Sequence, residues 1–528
     1  MSFAIIMLEA LQERFAGRIR PILSESAGQL YAALDVADVR EIAEYLRTEH
    51  AARLVSVFAE DRAALKGVFH IYYVFERPAD PCYLILRASL ADGQTQFPSL
   101  APELPSVNWQ EREIQDWFGL EAAGHPNPRR VALHDNWPDV HPLRKDFSLD
   151  EVLPPFEGER HTYRPTLGEG VFQIPVGPVH AGIIEPGHFN FAVAGEPILY
   201  LQLRMFYTHK GTEKLFEHLP IHRAVFLAES ISGDSAFSHG TAFCQAIECA
   251  AQIETPLRAQ FMRTILLELE RLYNHIADIG AIATDVGFVI ANAHAGRLRE
   301  IVVGLNEELT GNRLLRGMVC VGGVRRDWFP WHFEALRDTL GVIEREFWDL
   351  VALIRGSDST RDRLERTGFL HPDKARALGI VGVGGRASGV DLDVRRDHPY
   401  AAYDRVSFQV PVYEGGDVLC RMRVRIDEVK ESLAIIRAAV AGLPAGPHCA
   451  PARDIPPGRC ALSAVEGWRG EILHWVRTAP GNRLERCKIK DPSLNNWPVL
   501  VEAVEGNIIA DFPVINKSFS LSYSGTDR

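Results

Sequence analysis

Two serines in the segment "ESISGDSAFSHG", Glu229 to Gly240, have the clearest chemical pattern in the chain. Ser232 and Ser235 are separated by two residues, which is the spacing of a Cys-x-x-Cys pair that binds a soft metal ion. A serine hydroxyl is a hard, neutral donor near pH 7, whereas a cysteine thiolate is polarizable and ionises close to neutrality. The segment therefore has the spacing of a metal-binding turn without the ligands.

Histidine and glutamate residues are concentrated in two segments that precede this turn. Residues 176–191 read "VGPVHAGIIEPGHFNF" and residues 207–217 read "YTHKGTEKLFE". A single histidine is usually a hydrogen-bonded structural residue, but several of them together with the "SHG" of Ser238–Gly240 favour a shared polar pocket. The candidate residues are His180, Glu185, His188, His209, Lys210 and Glu213.

Asp234 lies between the two serines and permits two interpretations. A carboxylate in a buried turn can take up protons or hold a hard cation, and burial would raise its pKa. Alternatively, Asp234 caps the helix that follows the turn. The sequence favours neither interpretation.

Two further segments are dense in glycine or in basic residues. "GVGGRASG", Gly382 to Gly389, contains a Gly-x-Gly-x-x-Ala pattern, but it lies between predicted helices, whereas a dinucleotide site needs a preceding strand. We interpret it as a glycine-rich loop. Residues 111–147 are rich in Gly, Pro, His and Arg without catalytic spacing, which favours a docking segment.

Composition limits the class of protein. The 528 residues carry a net charge of -12, which argues against nucleic acid as a partner. No apolar run approaches the roughly 18 to 20 residues that span a bilayer, and acidic Glu9 and Glu13 do not suit a signal peptide. The eight cysteines form no Cys-x-x-Cys pair, as expected for reduced thiols in a cytosolic protein.

The chain is long enough for at least two domains. Residues 1–150 contain "RLVSVFAED", "FHIYYVFE" and "CYLILRAS", which predict neighbouring strands of a small α+β domain. Residues 151–168 belong to a stretch rich in proline, glycine and charge, and are predicted to be a linker. Residues 169–528 are predicted to form a mainly helical domain.

Three apolar series with steps of three and four residues predict long amphipathic helices in this second domain. They run from Leu257 to Ile279, from Phe333 to Ile354 and from Met422 to Leu443. Three such helices imply a bundle as the core of the domain.

Several motifs together resemble known families over nearly the whole chain. Residues 111–147, with "ERE", "DWFG", "GHP", "RR" and "HPLRKD", resemble the small peripheral-arm subunit of respiratory complex I. Residues from about 170 onward resemble the large subunit of energy-converting nickel–iron hydrogenases and the homologous quinone-site subunit of complex I. The fused order is similar to the formate hydrogenlyase and hydrogenase-4 type. The supporting motifs are "GPVHAGIIEPGHF", "YTHKGTEKL", "ILLELERLYNH", "GGVRRD", "RASG", "RRDHP", "RVRIDEV" and "TDR".

The resemblance implies what Ser232 and Ser235 replace. In the hydrogenases, two Cys-x-x-Cys pairs hold nickel and iron; the first corresponds to these two serines and the second to Ser522 and Gly525 in "FSLSYSGTDR". All four positions lack sulfur. We therefore expect the nickel–iron centre, and with it hydrogen activation, to be absent.

In the complex I relative, the corresponding cavity is free of metal and receives a quinone head group through a histidine and a tyrosine. The tyrosine's turn corresponds to Gly233 and Asp234, and the histidine's loop to Ile183–Glu185, where this chain follows the hydrogenase pattern. The quinone ligands are thus also missing. The polar residues that the resemblance assigns to a proton route and cavity lining are Glu213, His209, Asp234, His239, Arg386 and His180.

The resemblance implies a subunit of a complex I-like or hydrogenase-4-like oxidoreductase at the cytoplasmic face of the inner membrane, peripheral through its partners. Its expected partners are an iron–sulfur small subunit similar to that of complex I, antiporter-like membrane-arm subunits, and a formate or NADH dehydrogenase module. Its metal-free cavity would pass electrons from the partner's iron–sulfur cluster to a quinone-like acceptor. The alternative is a catalytically silent structural or coupling subunit of an ion-translocating complex.

Overall fold

The computed structural model describes residues 3–22, 26, 28–62, 68–78, 80–91, 93–158, 161–165, 168–181 and 184–528. The N-terminal part contains a five-stranded sheet of order β1-β2-β5-β4-β3, in which only the β2–β5 pair is parallel. Its elements are α1 (Phe3–Arg14), β1 (Ile19–Ile22), β2 (Gln29–Asp35), α2 (Val39–His50), β3 (Arg53–Asp61), β4 (Phe69–Glu76), β5 (Tyr83–Leu90), β6 (Gln96–Pro98), α3 (Asn108–Phe118) and β7 (Glu121–Ala123).

The three predicted N-terminal strands are confirmed as β3, β4 and β5, which are neighbours in this sheet. Both faces of the sheet are buried. One face packs against the N-terminal helices, and the other packs against the C-terminal part of the chain, where Phe58 and Tyr72 contact Trp475 at ring distances of 5.1 and 5.0 Å. Arg477 adds a hydrogen bond of 3.0 Å to the buried carboxylate of Glu60. The N-terminal domain is therefore joined to the second domain by an apolar face as well as by chain connectivity.

The second part is mainly helical, as predicted, and it also contains two three-stranded antiparallel sheets, β8–β10 and β13–β15. Its elements are β8 (Val171–Val176), β9 (His188–Ala194), β10 (Ile198–Arg204), α4 (Thr212–His218), α5 (Ile221–Ala228), α6 (Ala236–Ala251), α7 (Leu257–Asp285), α8 (Val289–Thr310), β11 (Val319–Cys320), β12 (Gly323–Val324), α9 (Pro330–Arg355), α10 (Asp358–Leu364), α11 (Pro372–Leu378), α12 (Gly382–Arg386), α13 (Val394–Asp397), α14 (Val418–Gly442), β13 (Cys460–Gly467), β14 (Gly470–Ala479), β15 (Arg483–Lys490), α15 (Pro492–Val504), α16 (Phe512–Phe519) and α17 (Tyr523–Asp527).

The three predicted long helices are α7, α9 and α14, and they share one hydrophobic core. Helix α7 is central because it packs against both α8 and α14, and most of its side chains are buried. No helix within the described ranges combines the length and hydropathy that a bilayer-spanning helix requires. The boundary at residue 150 and the linker 151–168 stay predictions; the described residues between 151 and 165 contain no helix or strand.

The glycine-rich segment differs from the predicted loop, because Gly382–Arg386 forms the short helix α12. Gly382 has a φ of +69°, and a Cβ atom there would lie 1.8 Å from the carbonyl oxygen of Arg469. The glycine is thus required by a close approach to the β13–β14 hairpin. This is a packing role, and no strand precedes the segment as a dinucleotide site would require.

Candidate functional site

The four positions that correspond to metal ligands lie in two turns that meet. Ser232 and Ser235 lie between α5 and α6, whereas Ser522 and Gly525 lie at α17. The hydroxyl oxygens of Ser232 and Ser522 are 3.0 Å apart, and the Ser522 hydroxyl also accepts a hydrogen bond of 2.9 Å from the backbone N–H of Gly525, which caps α17. All four residues are buried. The fold therefore brings the two turns together at Ser232 and Ser522.

The residues present do not fit a nickel–iron centre. Three of the four positions carry a hydroxyl instead of a thiolate. The fourth, Gly525, has no side chain, and a Cβ atom there would lie only 2.6 Å from Oδ2 of Asp491. That carboxylate is itself held by Nε2 of His239 at 3.1 Å and by the backbone N–H of Ser493 at 2.7 Å. Within the described residues, no group of three or more His, Cys, Asp or Glu side chains is arranged to hold a metal ion.

Asp234 neither caps α6 nor has a raised pKa, so both sequence interpretations are corrected. Its carboxylate forms a bidentate ion pair with Arg469, with both N–O distances at 2.6 Å, and accepts a hydrogen bond of 2.9 Å from Ser232. Desolvation alone would raise the pKa of Asp234, but the Arg469 guanidinium lowers it below its ordinary value. The side chain of Asp234 is 41% exposed, so this ion pair lies at the surface end of the serine cluster, which consists of Ser232, Ser235 and Ser522.

His239 lies at the buried end of the cluster, in a short chain of polar groups that the sequence did not reveal. Its Nδ1 is 3.1 Å from Nε2 of His474, and its Nε2 is 3.1 Å from Oδ2 of Asp491. All three side chains are fully buried. Burial, together with the neighbouring His239, lowers the pKa of His474 well below its usual value, so His474 is neutral. His474 and Asp491 lie 235 and 252 residues after His239 and follow no recognisable spacing.

Glu213 lies in a second cluster, among three cations. Its carboxylate is 2.7 Å from Arg486, 3.4 Å from Lys488 and 3.5 Å from Arg528, and it accepts a hydrogen bond of 3.2 Å from the backbone N–H of Ile489. Although desolvation raises the pKa of this buried carboxyl, the three cations lower it far below its usual value. Glu213 is therefore an anion at neutral pH and anchors the chain segments that carry the cations.

His209 is paired with the carboxylate of Asp527, another residue that the sequence did not single out. Its Nδ1 lies 3.0 Å from Oδ1 and 2.9 Å from the backbone carbonyl oxygen of Asp527. Its ring stacks on Trp117 of the predicted docking segment at 4.9 Å. The neighbouring Lys210 donates hydrogen bonds to the backbone carbonyl oxygens of Ser230 and Ile231, immediately before Ser232.

His180 and Arg386 are engaged elsewhere. His180 hydrogen-bonds the carbonyl oxygen of Gly187 at 2.8 Å within its own loop, and Arg386 forms ion pairs of 2.6 Å with Glu428 and 2.8 Å with Glu466. These ion pairs join Arg386 to α14 and β13, and none of its described contacts reaches the serines; its place in a cavity lining stays a prediction.

The segment that corresponds to the quinone histidine's loop is only partly described. Ile183 lies outside the described residues. Glu185 accepts a hydrogen bond of 3.0 Å from the backbone N–H of Ser524 and so joins this loop to α17.

The arrangement can move protons but offers no soft ligands. Two imidazoles are each held by a carboxylate, His239 by Asp491 and His209 by Asp527; Asp527 ends α17, and Asp491 lies beside Gly525 of the same helix. A carboxylate fixes the tautomer and orientation of its histidine, which is what a proton donor or acceptor requires. The serine hydroxyls can both donate and accept hydrogen bonds between these pairs and Asp234.

Two family matches cover most of the chain. Residues 32–152 match the family described as "Respiratory-chain NADH dehydrogenase, 30 Kd subunit", and residues 285–459 and 451–528 match "Respiratory-chain NADH dehydrogenase, 49 Kd subunit". The chain is 34% identical to formate hydrogenlyase subunit 5 of Escherichia coli K12, over 99% of this chain and 93% of the relative. It is 33% identical to hydrogenase-4 component G of the same organism, over 99% and 92%.

Similarity extends to complex I and to a solved structure. The NADH-quinone oxidoreductase C/D protein of Phocaeicola vulgatus is 32% identical, over 81% of this chain and 87% of the relative. A chain of the membrane-bound sulfane sulfur reductase, an archaeal respiratory membrane complex, is 28% identical with a TM-score of 0.65, over 68% of this chain and 99% of that chain. The chain therefore belongs to the complex I-related family of fused 30 kDa- and 49 kDa-type subunits, which includes formate hydrogenlyase subunit 5 and hydrogenase-4 component G.

Proposed function

We propose that this chain is the subunit of a respiratory membrane complex that passes electrons from a partner's iron–sulfur cluster to an organic acceptor of the quinone class, without a nickel–iron centre. Reduction of a quinone to a quinol takes up two electrons and two protons. The partner cluster supplies the electrons, and the carboxylate-held histidines of this chain deliver the protons.

The direct contact between Ser232 and Ser522 carries this proposal. Their 3.0 Å hydrogen bond joins the two turns that bear the ligand positions, and Asp491 fills the space beside Gly525. What surrounds these turns is a set of proton-transferring groups, including the His239–Asp491 pair. This combination supports proton-coupled chemistry on an organic molecule and opposes metal-centred hydrogen chemistry.

The proposed location and partner subunits are based on the complexes that the names of the relatives describe. We place the chain at the cytoplasmic face of the inner membrane, held there by an iron–sulfur small subunit similar to that of complex I and by antiporter-like membrane-arm subunits. A formate or NADH dehydrogenase module would feed the cluster. Similarity to formate hydrogenlyase subunit 5, to NADH-quinone oxidoreductase C/D and to a respiratory membrane complex supports this assembly.

A second candidate is a catalytically silent subunit that couples the peripheral arm to ion-translocating partners. The Asp234–Arg469 ion pair favours it, because two N–O contacts of 2.6 Å hold the turn before α6 against the β13–β14 hairpin, which is a structural role. In this case the purified complex moves ions without reducing a quinone at this subunit.

Electron transfer in the purified complex separates the two candidates. Reduced methyl viologen serves as electron donor to the iron–sulfur cluster, and 2,3-dimethyl-1,4-naphthoquinone serves as acceptor, with hydrogen evolution measured in parallel. We expect quinol and no hydrogen. Asp491→Asn keeps the cap on α15 but removes the charge that orients His239, and should slow quinone reduction by about 100-fold.

The matched control is the exposed Asp373→Asn, which should retain the wild-type rate. A wild-type complex that reduces no quinone, or an Asp491→Asn complex as fast as this control, would overturn the proposed electron route. Hydrogen evolution from the viologen would contradict the metal-free centre.

A further inference from the structure

A cavity of about 490 Å³ lies between the two domains, next to the C-terminal helix α17. The predicted docking segment forms one wall, the loop before α4 forms another, and the last two residues of the chain close one end. The apolar part of the wall is formed by Trp117, Leu133, Trp137, Leu143, Phe147 and Phe206. Ligand sites of this kind are typically 300 to 1,000 Å³, mostly apolar, and located between domains.

The polar end of the cavity is formed by the His209–Asp527 pair. Because Nδ1 of His209 faces two oxygens of Asp527, at 3.0 and 2.9 Å, it carries the proton and Nε2 is left for a ligand. Nε2 accepts a hydrogen bond from a hydroxyl when the ring is neutral and donates one to a carbonyl when the ring is protonated. The imidazole is also stacked on Trp117, which places it against a flat aromatic surface.

The cations that line the cavity are already paired, so the cavity suits a neutral ligand. Lys214 lies 3.3 Å from the carboxylate of Glu217, and Arg528 lies 3.5 Å from Glu213. An anion would have to compete with these carboxylates, whereas a neutral ring with an oxygen substituent needs only the apolar wall and His209.

We infer that this interdomain cavity binds a planar aromatic compound with ring oxygens, of the naphthoquinone type, whose carbonyl oxygen accepts a hydrogen bond from Nε2 of His209 in the protonated form of the ring. This inference rests on the proposed function for the class of acceptor. It adds a binding site for that acceptor. The apolar rings lie along Trp117 and Phe206, and the oxygen lies beside His209 and Asp527 at the C-terminal turn.

Equilibrium dialysis with the purified full-length chain tests binding without requiring electron transfer. The probe is 2,3-dimethyl-1,4-naphthoquinone, whose blocked ring positions prevent addition to partly exposed cysteines such as Cys320 and Cys449. The comparison ligand is 2,3-dimethylnaphthalene, which has the same shape without oxygens. We expect one quinone per chain, bound about tenfold more tightly than the hydrocarbon, as one hydrogen bond predicts.

His209→Phe retains a ring against Trp117 but removes the nitrogen, and should weaken quinone binding about tenfold without changing hydrocarbon binding. Leu149→Arg, at the half-exposed rim of the cavity, should weaken both ligands. Leu199→Arg is the matched control, because Leu199 is similarly exposed and lies outside the cavity. Melting curves establish that each variant is folded.

Equal binding of quinone and hydrocarbon, unchanged quinone binding in His209→Phe, or equal effects of the two arginine variants would each overturn the inference. If the wild-type complex and its Leu149→Arg variant reduce the quinone at the same rate, the acceptor does not bind in this cavity. The proposed function would still hold in that case. If the chain binds the quinone but the complex does not reduce it, the binding site is supported and the proposed electron route is refuted.

Discussion

Replacing Glu213 with glutamine removes one negative charge from a buried cluster of three cations. In the wild-type protein, its carboxylate lies 2.7 Å from Arg486, 3.4 Å from Lys488 and 3.5 Å from Arg528. Glutamine has nearly the same shape but cannot neutralise these groups. Of the carboxylates that contact them, Glu113 remains, 3.0 Å from Lys488 and in contact with Arg528. The variant therefore keeps the packing and loses the charge balance.

Removing one partner of a buried ion pair costs about 3 to 5 kcal/mol of unfolding free energy, because the remaining charge stays desolvated. The effect has a defined pH dependence. The pKa of Glu213 is lowered in the folded protein, so its stabilising contribution is fully present above the unfolded pKa of about 4.3 and is lost as the pH falls towards the folded value. The difference between wild type and variant should narrow by about 1.4 kcal/mol for each pH unit below about 4.3.

Urea unfolding at pH 7 and at pH 3.5 measures both effects, with the exposed Glu365→Gln as the control for losing a carboxylate. We expect the control to match wild type at both pH values. A Glu213→Gln variant as stable as the control at pH 7 would refute the cation-anchoring role. That outcome would return Glu213 to the proton route that the resemblance implies, and electron transfer per assembled complex would then measure its part in that route.

Other substitutions test the remaining contacts by urea unfolding. Arg469→Gln should lower stability by about 1 kcal/mol, since Asp234 is partly exposed, and an unchanged midpoint would show that the pair contributes nothing. Gly525→Ala places a Cβ atom 2.6 Å from a buried carboxylate oxygen and should cost about 1 to 3 kcal/mol; a neutral effect would mean that the turn relaxes freely. Arg477→Met leaves the buried Glu60 with the Tyr72 hydroxyl at 2.8 Å and Arg62 at 3.8 Å as its remaining partners, and should cost about 3 kcal/mol, which Glu60→Gln in the same chain should recover. Added nickel should leave the melting temperature unchanged, because a bound ion would raise it.

The sequence predicted elements well where periodicity was strong. The helix α7 and the strands β3 to β5 follow from apolar spacing alone, because steps of three and four residues or runs of β-branched and aromatic residues suit one backbone geometry. The sheet β13–β15 was missed, although "EILHWVR" within it is apolar, because its charged residues are buried against partners from distant segments. Arg477 is an example: it pairs with Glu60, and no local pattern reveals a contact over 417 residues.

The sequence indicated which residues of the site would meet, but it did not indicate their ionisation states or ion-pair partners. The meeting of Ser232 with Ser522 followed from correspondence to two ligand pairs, and the structure brings them to 3.0 Å. The state of Asp234 depends on Arg469, 235 residues away, so neither its lowered pKa nor its ion pair followed from the turn itself. Burial could be foreseen for these groups, but their charge partners could not.

The partners of the two C-terminal carboxylates explain how the turns stay together without metal–thiolate bonds. In this chain, Asp527 accepts hydrogen bonds from His209 and from the backbone N–H of Thr208, while Asp491 contacts His239. Each carboxylate therefore connects the C-terminal part of the chain to a segment at least 252 residues earlier. Because both connections use ionisable groups, the cohesion of this region depends on protonation state, whereas metal–thiolate bonds would make it depend on metal loading. Of these groups, His209 and Asp527 also line the interdomain cavity, so this one connection can both hold the C-terminal helix and exchange protons with a ligand there.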